Sequence, residues 1–142
     1  MCWYSDKLKI KIAKRDIPVW KIVRHSTDSP DKCYSLYAKF PYVKAIIETT
    51  SMEFEVKKYS DIIVGNQGFH SYSNKLEWEE DDTTIFVLRK KTLSRPQIYI
   101  TGTAIQRNIR IARFYIPKGY KYTENKDGEI ISSAIVFNGF ID

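Results

Sequence analysis

The segment IPKGYKYTENKDGEIISSAIVF, residues 116–137, shows its secondary structure most clearly. Residues 120–123 are rich in β-forming side chains and run into Asn-Lys-Asp-Gly, residues 125–128. The Asp-Gly pair supplies the positive φ angles that a tight reversal needs. The apolar residues 130–137 then return as a strand. This segment predicts a β-hairpin and, with it, a β-rich fold.

Alternating apolar residues predict further strands. In residues 7–12, Leu8, Ile10 and Ile12 alternate with three lysines, which predicts a half-buried strand with a cationic outer face. Residues 42–64 fit either short strands or a helical turn, and residues 85–88 fit either a buried strand or a continued helix. The remaining strands are predicted over residues 18–24, 34–40, 97–104 and 108–116, with a loop at 25–32 and a flexible turn at 65–68.

One segment favours a helix. Ser73 is a suitable N-cap residue, and Glu77 would lie near the positive end of the helix dipole. Residues 73–80 are therefore the best helix candidate. A chain of 142 residues is long enough for one domain with a buried core. We predict a single domain over residues 1–142 of the α+β class, β-rich, with an antiparallel or mixed sheet and one or two short helices.

The chain has a net charge of +6, and its charges are segregated. No carboxylate lies between Asp82 and Glu124, whereas nine lysines and arginines fall within that stretch. An acidic cluster, residues 77–82, comes immediately before it. Segregated positive charge favours a surface that concentrates anions. The alternative is that these basic side chains alternate outward along several strands and only keep the protein soluble.

Several functional classes lack their signals in this sequence. No apolar run approaches the roughly 18 residues of a membrane span, so we expect no membrane partner. Cys2, Cys33, His25 and His70 have the spacing of neither a zinc site nor a disulfide framework. Neither a P-loop nor a dinucleotide-binding glycine motif is present. We therefore expect no metal and no cofactor.

Two groups of residues are candidates for binding an anionic ligand. His70 and Tyr72 follow Gly68 in a run of hydrogen-bonding side chains, and His70 is expected near its titration range. The second group supplies guanidinium groups, which bind phosphate through paired hydrogen bonds, and lysines, which add positive field. The alternative interpretations are a hydrogen-bonded turn and a basic strand face, respectively. The second group consists of Arg107, Arg110, Arg113, Lys118 and Lys121.

Two segments carry a resemblance to known sequences. GFHSY, residues 68–72, and residues 116–137 resemble parts of small proteins from gut Bacteroidota and their phages. The resemblance covers only part of the chain. It implies a phage or mobile-element origin, interference with host defence, and a location in the cytoplasm of a bacterial host cell.

A second resemblance is to folds of the ADP-ribosyltransferase type. In these, an Arg or His, then a Ser or Tyr, and finally a Glu that acts on the ribose follow one another along the chain. Arg24 or His25, Ser71 or Tyr72, and Glu129 fall in that order. The Ser-Thr-Ser and Glu-x-Glu motifs of these enzymes are missing here. The resemblance implies an NAD-consuming enzyme with Arg24, Ser71 and Glu129 as its catalytic residues.

The leading hypothesis is a non-enzymatic binding module for a phosphate-containing ligand, either a nucleotide signal or a short nucleic acid. The first alternative is the ADP-ribosyltransferase-like enzyme. The second is a structural or host-protein-binding phage protein whose basic surface docks on an acidic protein. The sequence leaves the oligomeric state open.

Overall fold

The computed structural model describes residues 3–36, 39–80, 84–89, 98–101 and 109–140, and it describes the side chains of residues 3–36, 39–76 and 109–140. Within these ranges every regular element is a β-strand, and every paired strand runs antiparallel. The strands are β1 (Trp3–Ser5), β2 (Lys11–Ile12), β3 (Ile17–His25), β4 (Lys32–Ser35), β5 (Pro41–Val43), β6 (Ile47–Thr49), β7 (Glu53–Val56), β8 (Ile63–Gln67), β9 (Phe69–Tyr72), β10 (Leu76–Glu80), β11 (Thr84–Arg89), β12 (Ile98–Thr101), β13 (Ile109–Ile116), β14 (Lys121–Glu124), β15 (Glu129–Ser132) and β16 (Ala134–Phe140).

The described part of the chain is all-β, so the β-rich, antiparallel part of the predicted class is confirmed, and the described residues contain no helix. The helix predicted over 73–80 is strand β10, which pairs with β11. The hydroxyl of Ser73 donates to the Gly128 carbonyl instead of capping a helix. The sequence Leu-Glu-Trp-Glu alternates apolar and acidic residues with the period of a strand, and this pattern outweighs the capping signal. Among the described residues no helix could cross a membrane.

The described strands form three sheets. The largest has ten strands in the order β2-β14-β15-β9-β3-β13-β16-β6, with β4 attached to β3 and β5 attached to β4. The other two contain three strands each, in the orders β1-β8-β7 and β10-β11-β12. At the centre of the large sheet, β13 pairs with β3 over its whole length, from Ile109 opposite Arg24 to Ile116 opposite Ile17. The strands predicted over 18–24 and 108–116 are therefore confirmed as central strands.

Each face of this central pair carries its own hydrophobic cluster. Val19, Val23 and Phe114 lie on what we call the core face. Ile22 and Ile111 lie on the opposite face. The core-face cluster consists of Ala13, Val19, Val23, Cys33, Tyr42, Phe69, Ala112, Phe114, Ile116, Ile130, Ile135 and Phe137.

The hairpin predicted from residues 116–137 is confirmed between β14 and β15. Gly128 has a φ of 78° at the turn, and the turn has no non-glycine residue with positive φ. Asn125 fixes this turn because its side-chain oxygen accepts from the backbone amides of Asp127 and Glu129, both at 3.0 Å. Its amide nitrogen donates to the Tyr4 carbonyl at 2.8 Å, which ties β1 to the hairpin. The predicted returning strand is divided at Ser133 into β15 and β16, which pair with different neighbours.

The half-buried strand predicted over residues 7–12 is wrong in its burial. Only Lys11 and Ile12 pair, with β14, at the edge of the large sheet. Leu8, Ile10 and Ile12 are 40%, 47% and 59% exposed. Their alternation has the strand period, but no described layer of the protein covers the apolar side.

The turn predicted at residues 65–68 is mostly strand, because Gly65 belongs to β8. A Cβ at Gly65 would lie 2.7 Å from the Cδ1 of Ile131 and 3.4 Å from the Cβ of Trp3. This glycine therefore allows β8 to approach β15 closely. Gly68 alone makes the corner between β8 and β9, with a φ of 141°.

Candidate functional site

Two strands share one edge of β3 and leave a break between them. β9 pairs with that edge only at Trp20, which lies opposite Tyr72. β4 pairs with it from Val23 to His25. Residues 21 and 22 fall between these two ladders, where neither β9 nor β4 pairs with β3. The large sheet is therefore open at this point.

A cavity of about 410 Å³ lies at the break. Its size is within the range of about 300–1,000 Å³ that is typical of small-ligand sites. The end of β4, the corner at Gly68 and the loop after β6 supply most of its walls. The lining residues are Lys21, Ile22, Ser35, Leu36, Phe40, Tyr42, Thr49, Thr50, Asn66, Gln67, Gly68, Phe69 and His70.

Lys21 is the one charged side chain among the described residues that line this cavity. It lies opposite Ala112, on the core face, and its ammonium donates a hydrogen bond to the backbone carbonyl of His70. The Lys21 Nζ is also 6.0 Å from the ring centroid of Tyr42. Desolvation lowers the pKa of Lys21 to about 8, against an opposing effect of Cys33. The ammonium therefore remains largely protonated at pH 7 and bridges the break between β3 and β9.

His70 lines the same cavity as a neutral imidazole. Desolvation, together with the nearby positive charge of Lys21, lowers the pKa of His70 to about 4. The expectation that His70 titrates near neutral pH is therefore wrong, because burial disfavours the imidazolium ion. At pH 7 this side chain offers one hydrogen-bond donor and one acceptor.

Aromatic rings form one wall of the cavity. The ring centroids of Phe40 and Tyr42 are 5.2 Å apart, and those of Phe40 and Phe69 are 5.7 Å apart in an edge-on arrangement. On another side, the amide nitrogen of Gln67 donates to the hydroxyls of Thr50 at 3.0 Å and Ser51 at 2.8 Å. The site thus combines one cation with an aromatic wall and a hydrogen-bonded rim.

The two described arginines of the predicted site lie on opposite faces of β13. Arg110 is opposite Val23 on the core face, and its guanidinium carbon is 3.9 Å from the centroid of the Phe140 ring. Arg113 is exposed and lies opposite Trp20 on the other face. The two guanidinium groups therefore cannot form a joint phosphate fork. Arg107 lies outside the described residues.

The two predicted lysines are exposed at the far end of the sheet. The backbone amide of Lys118 donates to Asp16. Lys121, on β14, lies opposite Ile12 of the edge strand β2. The stretch of β13 from Arg110 to Ile116 alone spans about 20 Å at 3.4 Å per residue. These lysines and Arg110 therefore cannot contact one mononucleotide. Of the predicted ligand-binding residues that the structure describes, only His70 lines the cavity. Tyr72 is buried in the cluster on the opposite face.

The three residues of the enzyme alternative are also separated. Ser71 lies opposite Ile130 on the core face, where it is buried and its hydroxyl has no hydrogen-bond partner within the described residues. Glu129 lies opposite Tyr72, on the other face of the sheet. The Nε of Arg24 donates to the carbonyl of Leu36 at 2.7 Å, and Arg24 lines a separate cavity of about 360 Å³.

Sequence reasoning missed Lys21, the central residue of the cavity. A signal for it is present in PVWKIVR, residues 18–24, where Lys21 falls on the same strand face as Val19 and Val23. A charged residue on the apolar face of a strand needs a buried partner or a cavity, and here it has both. Within the described ranges, no three His, Cys, Asp or Glu side chains form a group that could hold a metal ion.

The chain was compared with protein families, curated proteins and solved structures. No protein-family model, no curated protein and no solved structure matches the chain.

Proposed function

We propose that the chain is a non-enzymatic binding module for a small phosphate-containing ligand, a mononucleotide, held in the cavity at the break in the large sheet. The observation that carries this proposal is the ammonium of Lys21, which faces a cavity of ligand size and has a backbone carbonyl as its protein hydrogen-bond acceptor. A protonated lysine in a desolvated site attracts an anion more strongly than an exposed lysine does. The ammonium also has three N–H donors, and the His70 carbonyl takes one of them.

The number of charges at the site limits the ligand. One ammonium balances one negative charge, and a second charge taken into the cavity would remain uncompensated and be costly. A phosphodiester carries a single charge, whereas a nucleoside triphosphate carries several. We therefore favour a cyclic mononucleotide within the mononucleotide class.

The rest of the ligand fits the remaining walls. A nucleobase offers a planar apolar face to Phe40, whose side chain is 38% exposed, and aromatic stacking of bases contributes about 1–3 kcal/mol for each base. The side chains of Asn66, Gln67 and Thr50 supply donors and acceptors at the rim for the edge of a base or a ribose hydroxyl.

Binding without chemistry is favoured by the state of the nearby thiol. Desolvation raises the pKa of Cys33 to about 12, although the charge of Lys21 opposes the shift. A thiol needs to lose its proton to act as a nucleophile, so Cys33 is unreactive at neutral pH.

Replacing Lys21 tests the proposal. We expect Lys21→Met to weaken the binding of adenosine 3′,5′-cyclic monophosphate by about 10- to 100-fold, since a hydrogen bond to a charged group contributes about 1.5–3 kcal/mol. Isothermal titration calorimetry gives the affinity, and urea unfolding shows whether the variant stays folded. Lys121→Met is the matched control, because Lys121 is an exposed lysine that does not line the cavity, and we expect it to bind as the wild type does.

Two results would count against the cavity. Equal losses in Lys21→Met and Lys121→Met would indicate a diffuse positive field. The affinity for oligonucleotides could instead increase with strand length and be weakened by Lys121→Met but not by Lys21→Met. That result would place a nucleic-acid site on the basic surface.

The pH dependence of the same affinity gives an independent prediction. Because the pKa of Lys21 is about 8 in the free protein, its charge is lost as the pH rises through that value. We expect the affinity to be constant from pH 6 to about 7.5 and then to fall toward a limit of about tenfold per pH unit above pH 8. His70 is neutral throughout this range, and the pKa of Tyr42 is raised by desolvation and by Cys33 and Glu48, so neither contributes.

The ligand itself does not interfere, because the single charge of a cyclic phosphodiester does not titrate in this range. Lys21→Arg is the control variant, since a guanidinium stays charged and should remove the pH dependence. A wild-type affinity that is level up to pH 10 would show that Lys21 is not the ligand's counter-charge.

A further inference from the structure

We propose that residues 7–12 of one copy of the chain pair antiparallel with β7 of a second copy, so that copies associate head to tail through their sheet edges. Among the described strands both segments lie at open edges, because β2 ends the large sheet and β7 ends the sheet β1-β8-β7. Exposed edge strands present unpaired backbone groups to other chains.

The first segment has the side-chain pattern of a strand that lacks its neighbour. Its apolar residues Leu8, Ile10 and Ile12 are exposed, and its lysines alternate with them on the other side. Lysine side chains at an edge normally prevent indiscriminate pairing. They therefore select for a strand whose opposing residues are acidic.

β7 has the complementary pattern. Glu53 and Glu55 are exposed on one side of the strand, and Val56, on the other side, is 62% exposed. Phe54 lies on the same side as Val56 and packs edge-on against Trp3, with 5.7 Å between the ring centroids. A strand added beside β7 would extend this small apolar cluster.

One antiparallel register satisfies both sides at once. It places Lys9 opposite Glu55 and Lys11 opposite Glu53 on the polar side. On the apolar side it places Ile10 opposite Phe54 and Leu8 opposite Val56. Opposite charges and apolar pairs that face one another across two strands are each stabilising.

Pairing of residues 7–12 with the same segment of another copy is disfavoured. In an antiparallel pair, residues that face each other share one side of the sheet. The alternating pattern would then set lysine against lysine in one register, and lysine against an apolar residue in the other. Like charges directly opposite one another are destabilising, so the partner strand needs to be a different one.

β10 is the other edge strand whose sequence alternates acidic and apolar residues. Its first apolar residue, Leu76, is only 1% exposed and already belongs to a hydrophobic cluster. Val56 of β7, in contrast, is largely uncovered. The apolar side of β7 is therefore the one that gains from a new strand.

This contact is heterologous, since the two copies use different surfaces. Each added copy leaves one β2 edge and one β7 edge open at the ends of the assembly. Further copies can therefore add, and short oligomers grow as the protein concentration rises. None of these paired residues lines the cavity proposed for the mononucleotide, although Glu55 accepts a hydrogen bond at 3.2 Å from Asn66, which does.

Sedimentation velocity of the full chain over a series of concentrations tests the pairing. We expect the mean mass of the wild type to rise with concentration. The charge reversal Lys9→Glu with Lys11→Glu, and separately Glu53→Lys with Glu55→Lys, should each leave the chain monomeric. Combining all four substitutions in one chain restores the opposite charges and should restore association. Circular dichroism of each variant checks that its strands are retained.

A wild type that stays monomeric at every concentration would overturn the proposal. Failure of the four-fold variant to associate, while both reversals abolish association, would also overturn it, because the effect would then not arise from these pairs. Rescue of the Lys9→Glu, Lys11→Glu variant by Glu77→Lys with Glu79→Lys instead would assign the contact to β10 and not to β7.

Discussion

Replacing Gly68 by alanine is expected to lower the free energy of unfolding by about 2–5 kcal/mol, by adding backbone strain to overpacking. The φ of 141° lies in a region that residues with a side chain rarely adopt. A Cβ at this position would also be 2.5 Å from Cγ1 and 2.9 Å from Cδ1 of Ile131, and 3.3 Å from the carbonyl oxygen of Ser132. Cγ1 is held close to the backbone of β15, so it cannot move aside without shifting the strand.

Two other glycines separate these contributions. Gly119 has a φ of 93°, and a Cβ added there would have no heavy atom within 4 Å, so Gly119→Ala reports strain alone. Gly65 approaches Ile131 closely, but only at the terminal Cδ1, which can rotate away. We expect urea unfolding to rank the losses with Gly68→Ala the largest. A Gly119→Ala loss equal to that of Gly68→Ala would show that packing against Ile131 contributes nothing.

Phe114→Ala is the second change with a large expected effect, a loss of about 3–5 kcal/mol in the free energy of unfolding. Phe114 is 1% exposed on the core face. Its ring centroid is 5.0 Å from that of Tyr42, edge-on, and 5.3 Å from that of Phe137. Alanine would leave a cavity between these rings, and the paired backbones of β3 and β16 on either side prevent the sheet from closing over it.

Phe140→Ala is the comparison for this prediction. Phe140 is only partly buried. Its ring centroid is 5.2 Å from that of Phe137 and 3.9 Å from the guanidinium carbon of Arg110. Its removal opens a site that water can enter, so we expect a clearly smaller loss in urea or thermal unfolding. Equal losses at the two positions would contradict the location of the core. Because Tyr42 lines the cavity proposed for the mononucleotide, we expect Phe114→Ala also to weaken that binding in the folded fraction.

The strands of this protein follow from its sequence wherever one side of a strand is buried and the other is not. The central strand β13 and the hairpin at Asn125 were predictable on this basis. The helix predicted over 73–80 was wrong because a local capping signal at Ser73 competes with the alternation of apolar and acidic residues in Leu-Glu-Trp-Glu. That alternation stabilises a strand only when a partner strand, here β11, pairs with it. The exposure of Leu8 could not be predicted either, since alternating apolar residues indicate a strand but do not show whether another part of the protein covers its apolar side.

The site was less predictable than the fold. The high density of arginine and lysine in residues 83–123 predicted an anion site on strand β13. Because side chains alternate along a strand, Arg110 and Arg113 lie on opposite faces of β13. Lys21 lines a cavity because β9 and β4 meet the same edge of β3 without filling it, and these strands lie far apart in the sequence. Only the assembled sheet shows that arrangement.

The pairing of β3 with β13 also has a consequence for how the chain acquires its structure. The two central strands come from the first and last thirds of the sequence, with most of the other strands between them. Contacts between distant parts of a chain form slowly, because a large loop has to close before they stabilise anything. During synthesis, β3 has to wait beside the ribosome until residue 116 has emerged, while the hairpin β14-β15 can form at once from neighbouring residues. Val19 and Val23 remain without their final neighbour throughout that interval, so newly made chains are exposed to aggregation until β13 pairs with β3.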